Sequence, residues 1–162
     1  MDRRLLTKSA EGGDVDAQCG LAYALAEKGT PVALKKAVHW FRRAARQGNA
    51  WAQFCLGCLY EVGEGVPKSE RRATYWYEVS AAQGFDSAQI NLGIIYANRR
   101  GKYRNLREAI KLYRRAARQG SRNAQYNLGL IYEEGRGVPE NRRLSFRWYL
   151  KAAERGDVDA QY

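Results

Sequence analysis

The sequence predicts an all-α fold, a solenoid of about four 36-residue helix-pair repeats with partial units at both ends. Three observations carry this. Ala-Gln recurs at Ala17-Gln18, Ala52-Gln53, Ala88-Gln89, Ala124-Gln125 and Ala160-Gln161, at steps of 35, 36, 36 and 36 residues. Gly13, Gly48, Gly84, Gly120 and Gly156 recur at the same steps, and Gly-Asp-Val-Asp-Ala-Gln at 13–18 returns unchanged at 156–161. Between these marks the apolar residues follow helical spacing, so each repeat reads as two helices that bury their apolar faces by stacking on neighbours.

Helix A of each repeat opens at the alanine. Ala52, Leu56, Gly57 and Tyr60 return as Ala88, Leu92, Gly93 and Tyr96, then as Ala124, Leu128, Gly129 and Tyr132. These offsets fall on one helical face. Glycine inside a helix costs about 1 kcal/mol against alanine. Its recurrence predicts a neighbouring helix backbone passing too close for a side chain. In repeat one, Ala22 and Leu25 replace the glycine and tyrosine.

Helix B is a stripe of small and large residues. Ala37, Trp40, Phe41, Ala44 and Ala45 return as Ala73, Trp76, Tyr77, Ser80 and Ala81. The same places hold Ala109, Leu112, Tyr113, Ala116 and Ala117, then Ser145, Trp148, Tyr149, Ala152 and Ala153. That spacing defines an amphipathic helix, and its in-register aromatics are expected in the core. Asp14, Asn49, Ser121 and Asp157 stand where the N-cap of helix A belongs, with Asp86 replacing Phe85 in repeat three. Ser69, Asn105 and Asn141 hold the same place before helix B. Gly63-Glu-Gly65-Val66-Pro67 and Gly135-Arg-Gly137-Val138-Pro139 join the helices, glycine suiting a left-handed C-cap and proline blocking continuation. No strand precedes these loops, so they are not read as phosphate loops.

The boundaries follow: a partial unit over 1–12, repeats over about 13–47, 48–83, 84–119 and 120–155, and a C-terminal stub over 156–162. Residues 1–12 match the back half of helix B through Leu5, Leu6, Ser9 and Ala10. Solenoids usually end in polar caps, and none is evident. The expectation is either a piece of a longer array or bare ends that pair with another molecule, including a second copy.

Composition narrows the function. No run approaches the ~20 apolar residues that span a bilayer, and the first 30 residues hold no signal-peptide core. A cytoplasmic location is the default, or a periplasmic or secreted one if an N-terminal signal was removed. The three cysteines, Cys19, Cys55 and Cys58, do not form a disulfide framework. Cys55-Leu-Gly-Cys58 lies inside helix A, away from the helix N-terminus that redox pairs use, so packing is the expected role. The single histidine, His39, takes a variable helix-B position expected to be exposed. No positioned acid–base pair, nucleophile elbow, metal set or cofactor loop is present, so a non-enzymatic function without cofactor is expected.

The pattern Ala-x-x-x-Leu-Gly-x-x-Tyr-x-x-Gly-x-Gly-Val, then Ala-x-x-Trp-Tyr-x-x-Ala-Ala-x-x-Gly, resembles the Sel-one-like repeat family, relatives of the tetratricopeptide repeats. Repeats two and four match best. Repeat three has Arg99 at the first loop glycine and Lys102-Tyr103 further on, and repeat one lacks Gly-x-Gly. The resemblance implies an α/α superhelical solenoid that acts as a scaffold or adaptor for another protein or peptide.

It also implies that helix A lines a concave groove. Carried over by position, the candidate partner-binding residues are Tyr23, Glu27, Trp51, Phe54, Cys58, Glu61, Ile90, Ile94, Asn98, Tyr126, Leu130, Glu133 and Glu134. Trp51 stands out because no other repeat has an aromatic at its offset. Such a groove, apolar in the middle and acidic at one edge, suits an amphipathic or basic peptide. A tight toxin-neutralising, immunity-type binder is a special case of this reading.

Net charge is +11, with 28 Lys and Arg against 17 Asp and Glu. The helix-A segments 14–27, 49–62, 85–98 and 121–134 carry −6, so +17 falls on the rest. Arg42, Arg43, Arg46, Arg71, Arg72, Arg114, Arg115, Arg118, Arg142, Arg143 and Arg147 would then form a basic convex helix-B face. That alternative scaffold would take an anionic partner, such as an acidic protein, nucleic acid or membrane surface. The aromatics are not interleaved with these arginines, which disfavours direct nucleic-acid binding.

Overall fold

The computed structural model describes residues 3–98 and 105–158, and side chains within 4–98 and 105–154. Among the described residues the chain is all-helical. The elements are α1 (Arg3–Glu11), α2 (Val15–Ala26), α3 (Pro31–Arg46), α4 (Ala50–Val62), α5 (Glu70–Ala82), α6 (Asp86–Asn98), α7 (Leu106–Arg118), α8 (Arg122–Glu134) and α9 (Arg142–Val158). Helix A of the four repeats is α2, α4, α6 and α8; helix B is α3, α5, α7 and α9. No described helix is long and apolar enough to cross a membrane.

The caps explain the helix starts. Asp14 accepts from Ala17 N at 2.7 Å and Asn49 from Ala52 N at 2.8 Å. Ser69, Asn105 and Asn141 accept from Arg72, Glu108 and Leu144 N before α5, α7 and α9. Thr30 caps α3, with Pro31 at its first turn. Ser121 precedes α8 without a side-chain cap bond. Asp86 is the first residue of α6, and its carboxylate accepts from Ser87 N at 2.7 Å. Asp157 corrects an expectation: α9 continues through it to Val158, so its backbone is helical where an N-cap would be extended. An established helix propagates at one hydrogen bond per residue.

The A-to-B loop is shaped by glycine at two places. Gly63 ends α4 at φ 90°, a left-handed conformation that costs glycine nothing. Gly65 lies against α3, where a Cβ would fall 2.6 Å from the Leu34 carbonyl. Gly137 meets Leu106 of α7 in the same way, at 2.7 Å. The departures at Arg99 and Lys102-Tyr103 lie outside the described residues.

The chain forms two compact units, Met1–Phe85 and Asp86–Tyr162. The N-terminal core joins α1 to α4 through Ala10, Leu21, Leu25, Val38, Phe41 and Leu56. The C-terminal core joins α6 to α8 through Ile90, Ile110, Tyr113, Leu128 and Tyr132, with Trp148 of α9 against it.

The helix-A glycine corrects a second expectation. What crowds it is a ring from helix B of the same repeat, not a neighbouring backbone. A Cβ on Gly57 would lie 2.4 Å from Tyr77, on Gly93 2.7 Å from Tyr113, and on Gly129 2.4 Å from Tyr149. Repeat one carries Ala22 and Phe41 at these positions, both buried. The tryptophans of helix B pack against the cores, as expected. Trp40, Trp76 and Trp148 are half-buried, and two of them carry a cation: Arg43 lies 5.0 Å from the Trp40 ring and Lys151 4.9 Å from the Trp148 ring.

Candidate functional site

The helix-A face of the N-terminal unit brings several predicted residues together. Asp14 and Asn49 start α2 and α4, placing Tyr23 and Trp51 on adjacent helices. Tyr23 is 52% exposed, and its ring lies 6.0 Å from that of Trp51. Trp51 is half-buried and meets core Phe41 edge-on at 5.6 Å. It is therefore the base of an exposed aromatic pair and also part of the packing. Phe54 is half-buried between Tyr77 at 5.8 Å and Phe85 at 5.2 Å. The Tyr77 hydroxyl donates to Glu61 Oε2 at 2.6 Å and lies 3.4 Å from Cys58 Sγ. Glu27 and Glu61 are exposed at the C-terminal ends of their helices.

The predicted residues of the C-terminal unit are more scattered in role. Ile90 is buried at 8% exposure, so it belongs to the core and lines no groove. Ile94 is 41% exposed and Asn98 is exposed. Tyr126 is 52% exposed, with its ring 5.5 Å from Tyr149. Leu130 is half-buried; Glu133 accepts from the Tyr149 hydroxyl at 2.6 Å; Glu134 pairs with Arg136.

The helix-B arginines divide. Arg42 donates to the Tyr60 hydroxyl at 2.6 Å, and Arg72 approaches the same hydroxyl at 3.5 Å with its guanidinium 5.4 Å from the ring. Arg114 donates to Tyr132, Arg43 to the Glu11 carbonyl at 3.2 Å, and Arg142 pairs with Glu140 at 3.0 Å. Five of the eleven therefore tie the chain to itself. Arg46, Arg71, Arg115, Arg118, Arg143 and Arg147 are exposed. Exposed ion pairs contribute little stability, so these charges act chiefly on what approaches the surface.

The thiols are free in the structure. Burial first, then the Asp16 carboxylate, pushes Cys19 up to about 11. Burial first, then the neighbouring Cys58 and Cys19, pushes Cys55 up to about 12. Burial also raises Cys58, against the Tyr77 hydrogen bond that lowers it. A raised thiol is a poor nucleophile at neutral pH, which supports the packing role. No cluster of metal-ligating side chains occurs among the described residues, and His39 is exposed.

Two features escaped the sequence reading. Gln18, Gln53, Gln89 and Gln125 are all buried. Gln18 donates to the Ala10 carbonyl at 3.0 Å, Gln53 to Ala45 at 3.1 Å and Gln125 to Ala117 at 3.3 Å. Gln47, Gln83 and Gln119 in turn donate to Gln18, Gln53 and Gln89. This ladder satisfies polar groups where helices meet, save Gln125 Oε1, which is buried without a partner among the described residues. Its signal was the second letter of Ala-Gln, paired with a glutamine 29 or 30 residues on. The tyrosine–glutamate bonds are the other feature. Glu61 and Glu133 occur only in the two repeats that also carry Gly-x-Gly, each 16 residues before its tyrosine.

A Sel1 repeat family model matches residues 15–49, 52–85, 86–121 and 122–157. No curated protein sequence matches significantly. Among solved structures, the chain is similar to c5321, a protective antigen of uropathogenic Escherichia coli with an SLR fold. The identity is 38% over 98% of this chain and 34% of that one, with TM-score 0.89. A Sel1 repeat protein from Oxalobacter formigenes is 34% identical over 93% of this chain and 62% of that one, with TM-score 0.80. A sel1 repeat protein from Klebsiella pneumoniae subsp. pneumoniae is 28% identical, covering 93% of this chain and 72% of that one, with TM-score 0.65. The chain thus spans about a third of the c5321 structure and under two thirds of the Oxalobacter one. Four consecutive matches and this shared α/α solenoid fold lead to one conclusion: the chain belongs to the Sel1 repeat family.

Proposed function

We propose that the chain is a non-enzymatic adaptor that holds a segment of another protein against the helix-A face of its N-terminal unit. Sel1 repeats are, as a family, protein–protein interaction scaffolds. The single observation that supports the finer reading is the Tyr23–Trp51 pair. An aromatic ring 52% exposed, resting on a second ring fixed by the core, is a rigid anchor with little rotamer entropy to lose. Glu27, one turn beyond Tyr23 at the end of α2, is exposed and adds negative charge, which favours a partner segment that is basic or amphipathic.

The test uses Tyr23→Ala, because Trp51 also packs on Phe41 and its loss would disturb the fold. Affinity capture from lysate, with partners identified by mass spectrometry, compares wild type with this variant. Loss of a specific protein, with the helical circular dichroism unchanged, supports the anchor; full retention removes this face from the function.

A second reading rests on the six exposed arginines of helix B. They could hold an anionic partner by charge, and that binding would weaken steeply with salt.

A further inference from the structure

We propose that Arg42, Tyr60 and Arg72 form a binding site for a doubly charged phosphoryl group, set between α3, α4 and α5 of the N-terminal unit.

Three donors converge there without an acceptor for all of them. Arg42 of α3 donates to the Tyr60 hydroxyl oxygen at 2.6 Å, and Arg72 of α5 reaches the same oxygen at 3.5 Å. Both guanidiniums also lie on the Tyr60 ring, 5.9 Å and 5.4 Å from its centroid. Tyr60 is 4% exposed, so core packing fixes the point at which they meet. Its hydroxyl oxygen receives from two cations, and its own proton meets no acceptor among the described residues. Neither arginine pairs with a carboxylate among the described residues.

Such an arrangement sets two like charges against each other beside one neutral oxygen, which costs free energy that an anion would recover. Arg136 and Arg142 show the usual alternative, each taking a glutamate. Arg42 is half-buried and Arg72 exposed, so one cation is fixed against the fold and the other faces the solvent from which a ligand arrives.

The repeat supplies an internal comparison. In the C-terminal unit Arg114 of α7 donates to Tyr132 of α8, as Arg42 does to Tyr60. The position of Arg72 is held there by Leu144, which packs against the core of that unit. One arginine is thus enough for this tyrosine, and an apolar side chain completes the joint. Arg72 is surplus to the packing, and what it adds is a second positive charge.

The donor set selects the ligand. Two neighbouring positive charges match a dianion. A carboxylate carries one charge, and a single guanidinium already fills its two oxygens. A phosphoryl group carries close to two charges at neutral pH and has three accepting oxygens, one for each of Arg42, Arg72 and Tyr60. Free phosphate and a phosphorylated side chain of a partner share this chemistry. The site uses neither the Tyr23–Trp51 pair nor the six arginines of the second reading, so it stands or falls separately from both.

Backbone amide shifts of the isotopically labelled full chain, followed at constant ionic strength as inorganic phosphate is added, test this. Wild type should show one saturable set of shifts centred on Tyr60 and the first turn of α5. Arg72→Leu installs the other unit's residue at an exposed position and should weaken binding about tenfold or more, with helicity unchanged. Tyr60→Phe keeps the ring, removes the hydroxyl and should weaken binding about fivefold. Arg71→Leu, the neighbour on α5, controls for diffuse charge and should change binding less than about twofold. A Gly-phosphoserine-Gly peptide separates the sources. Binding tighter than that of inorganic phosphate assigns the site to a phosphorylated partner; equal or weaker binding assigns it to free phosphate. No saturable shift with either probe would overturn the proposal. So would an Arg72→Leu chain that binds as wild type does, equal losses in Arg72→Leu and Arg71→Leu, or equal binding of the unphosphorylated peptide.

Discussion

In α4 and α5 the Tyr77 ring lies over Gly57, donates to Glu61 and is fully buried. In α8 and α9 Tyr149 lies over Gly129 at the same approach and donates to Glu133, yet it is only half-buried. The contacts inside a repeat are thus equal, and the surroundings are not. Ser80, packed at 0% exposure, donates to the Ala50 carbonyl at 2.7 Å, whereas its counterpart Ala152 makes no such bond. The sequence of one repeat therefore determines its ring-on-glycine joint, but not how deeply that ring is buried.

The largest effect should come from removing the ring. Tyr77→Ala is expected to cost about 4 kcal/mol, because the cavity is enclosed, and Tyr149→Ala about half as much. Midpoints of urea unfolding followed by circular dichroism would measure both. Equal losses would mean that the depth of the ring's burial does not matter.

Gly57→Ala and Gly129→Ala sharpen the same contrast. Each alanine gains helix propensity of about 1 kcal/mol, and each Cβ collides with a ring at 2.4 Å. Tyr77 has nowhere to move, so a net loss of about 2 kcal/mol is expected at Gly57. Tyr149 can swing toward solvent, so Gly129→Ala should cost under about 1 kcal/mol.

These joints also mark how far the sequence could be read. Helix positions, caps at Asp14, Asn49, Ser69, Asn105 and Asn141, and the left-handed Gly63 follow from local chemistry, and local chemistry is written in neighbouring letters. The partner of the helix-A glycine is 20 residues away, so its recurrence announced a close approach without saying to what. Ile90 illustrates the same limit at the candidate site. Its offset from Ala88 equals that of Tyr126 from Ala124, yet one is core and the other is 52% exposed. An offset places a side chain on a face of its own helix, and the neighbouring helix decides whether that face sees water. The tryptophans of helix B pack against the core as the stripe predicts, but at its edge two of their half-buried rings also meet Arg43 and Lys151, which the stripe does not announce.

The smallest effect expected is on alkaline stability, and it separates the two units. All three cysteines lie in the N-terminal unit. Their folded thiols sit above the ordinary value of 9.0, at about 11 for Cys19 and about 12 for Cys55. The folded state therefore holds its protons more tightly than the unfolded state. This stabilisation is complete below 9.0 and is lost as the pH rises toward 11 and 12. In the C-terminal unit the corresponding groups are Tyr113 and Tyr149, raised from 10.0 to about 12, chiefly by burial. Ellipticity tracked against pH should show the N-terminal unit weakening first, and Cys55→Ala should narrow the gap.

The most direct test of the central claim is the salt dependence of partner binding. The dissociation constant of the captured protein would be measured at several ionic strengths for wild type, for Tyr23→Ala and for an Arg71→Glu, Arg115→Glu, Arg143→Glu set. Anchoring at the Tyr23–Trp51 pair predicts a shallow salt slope, a loss of about tenfold or more in Tyr23→Ala, and little change in the arginine set. A steep slope, with binding lost in the arginine set and kept in Tyr23→Ala, would contradict the account and move the function to helix B.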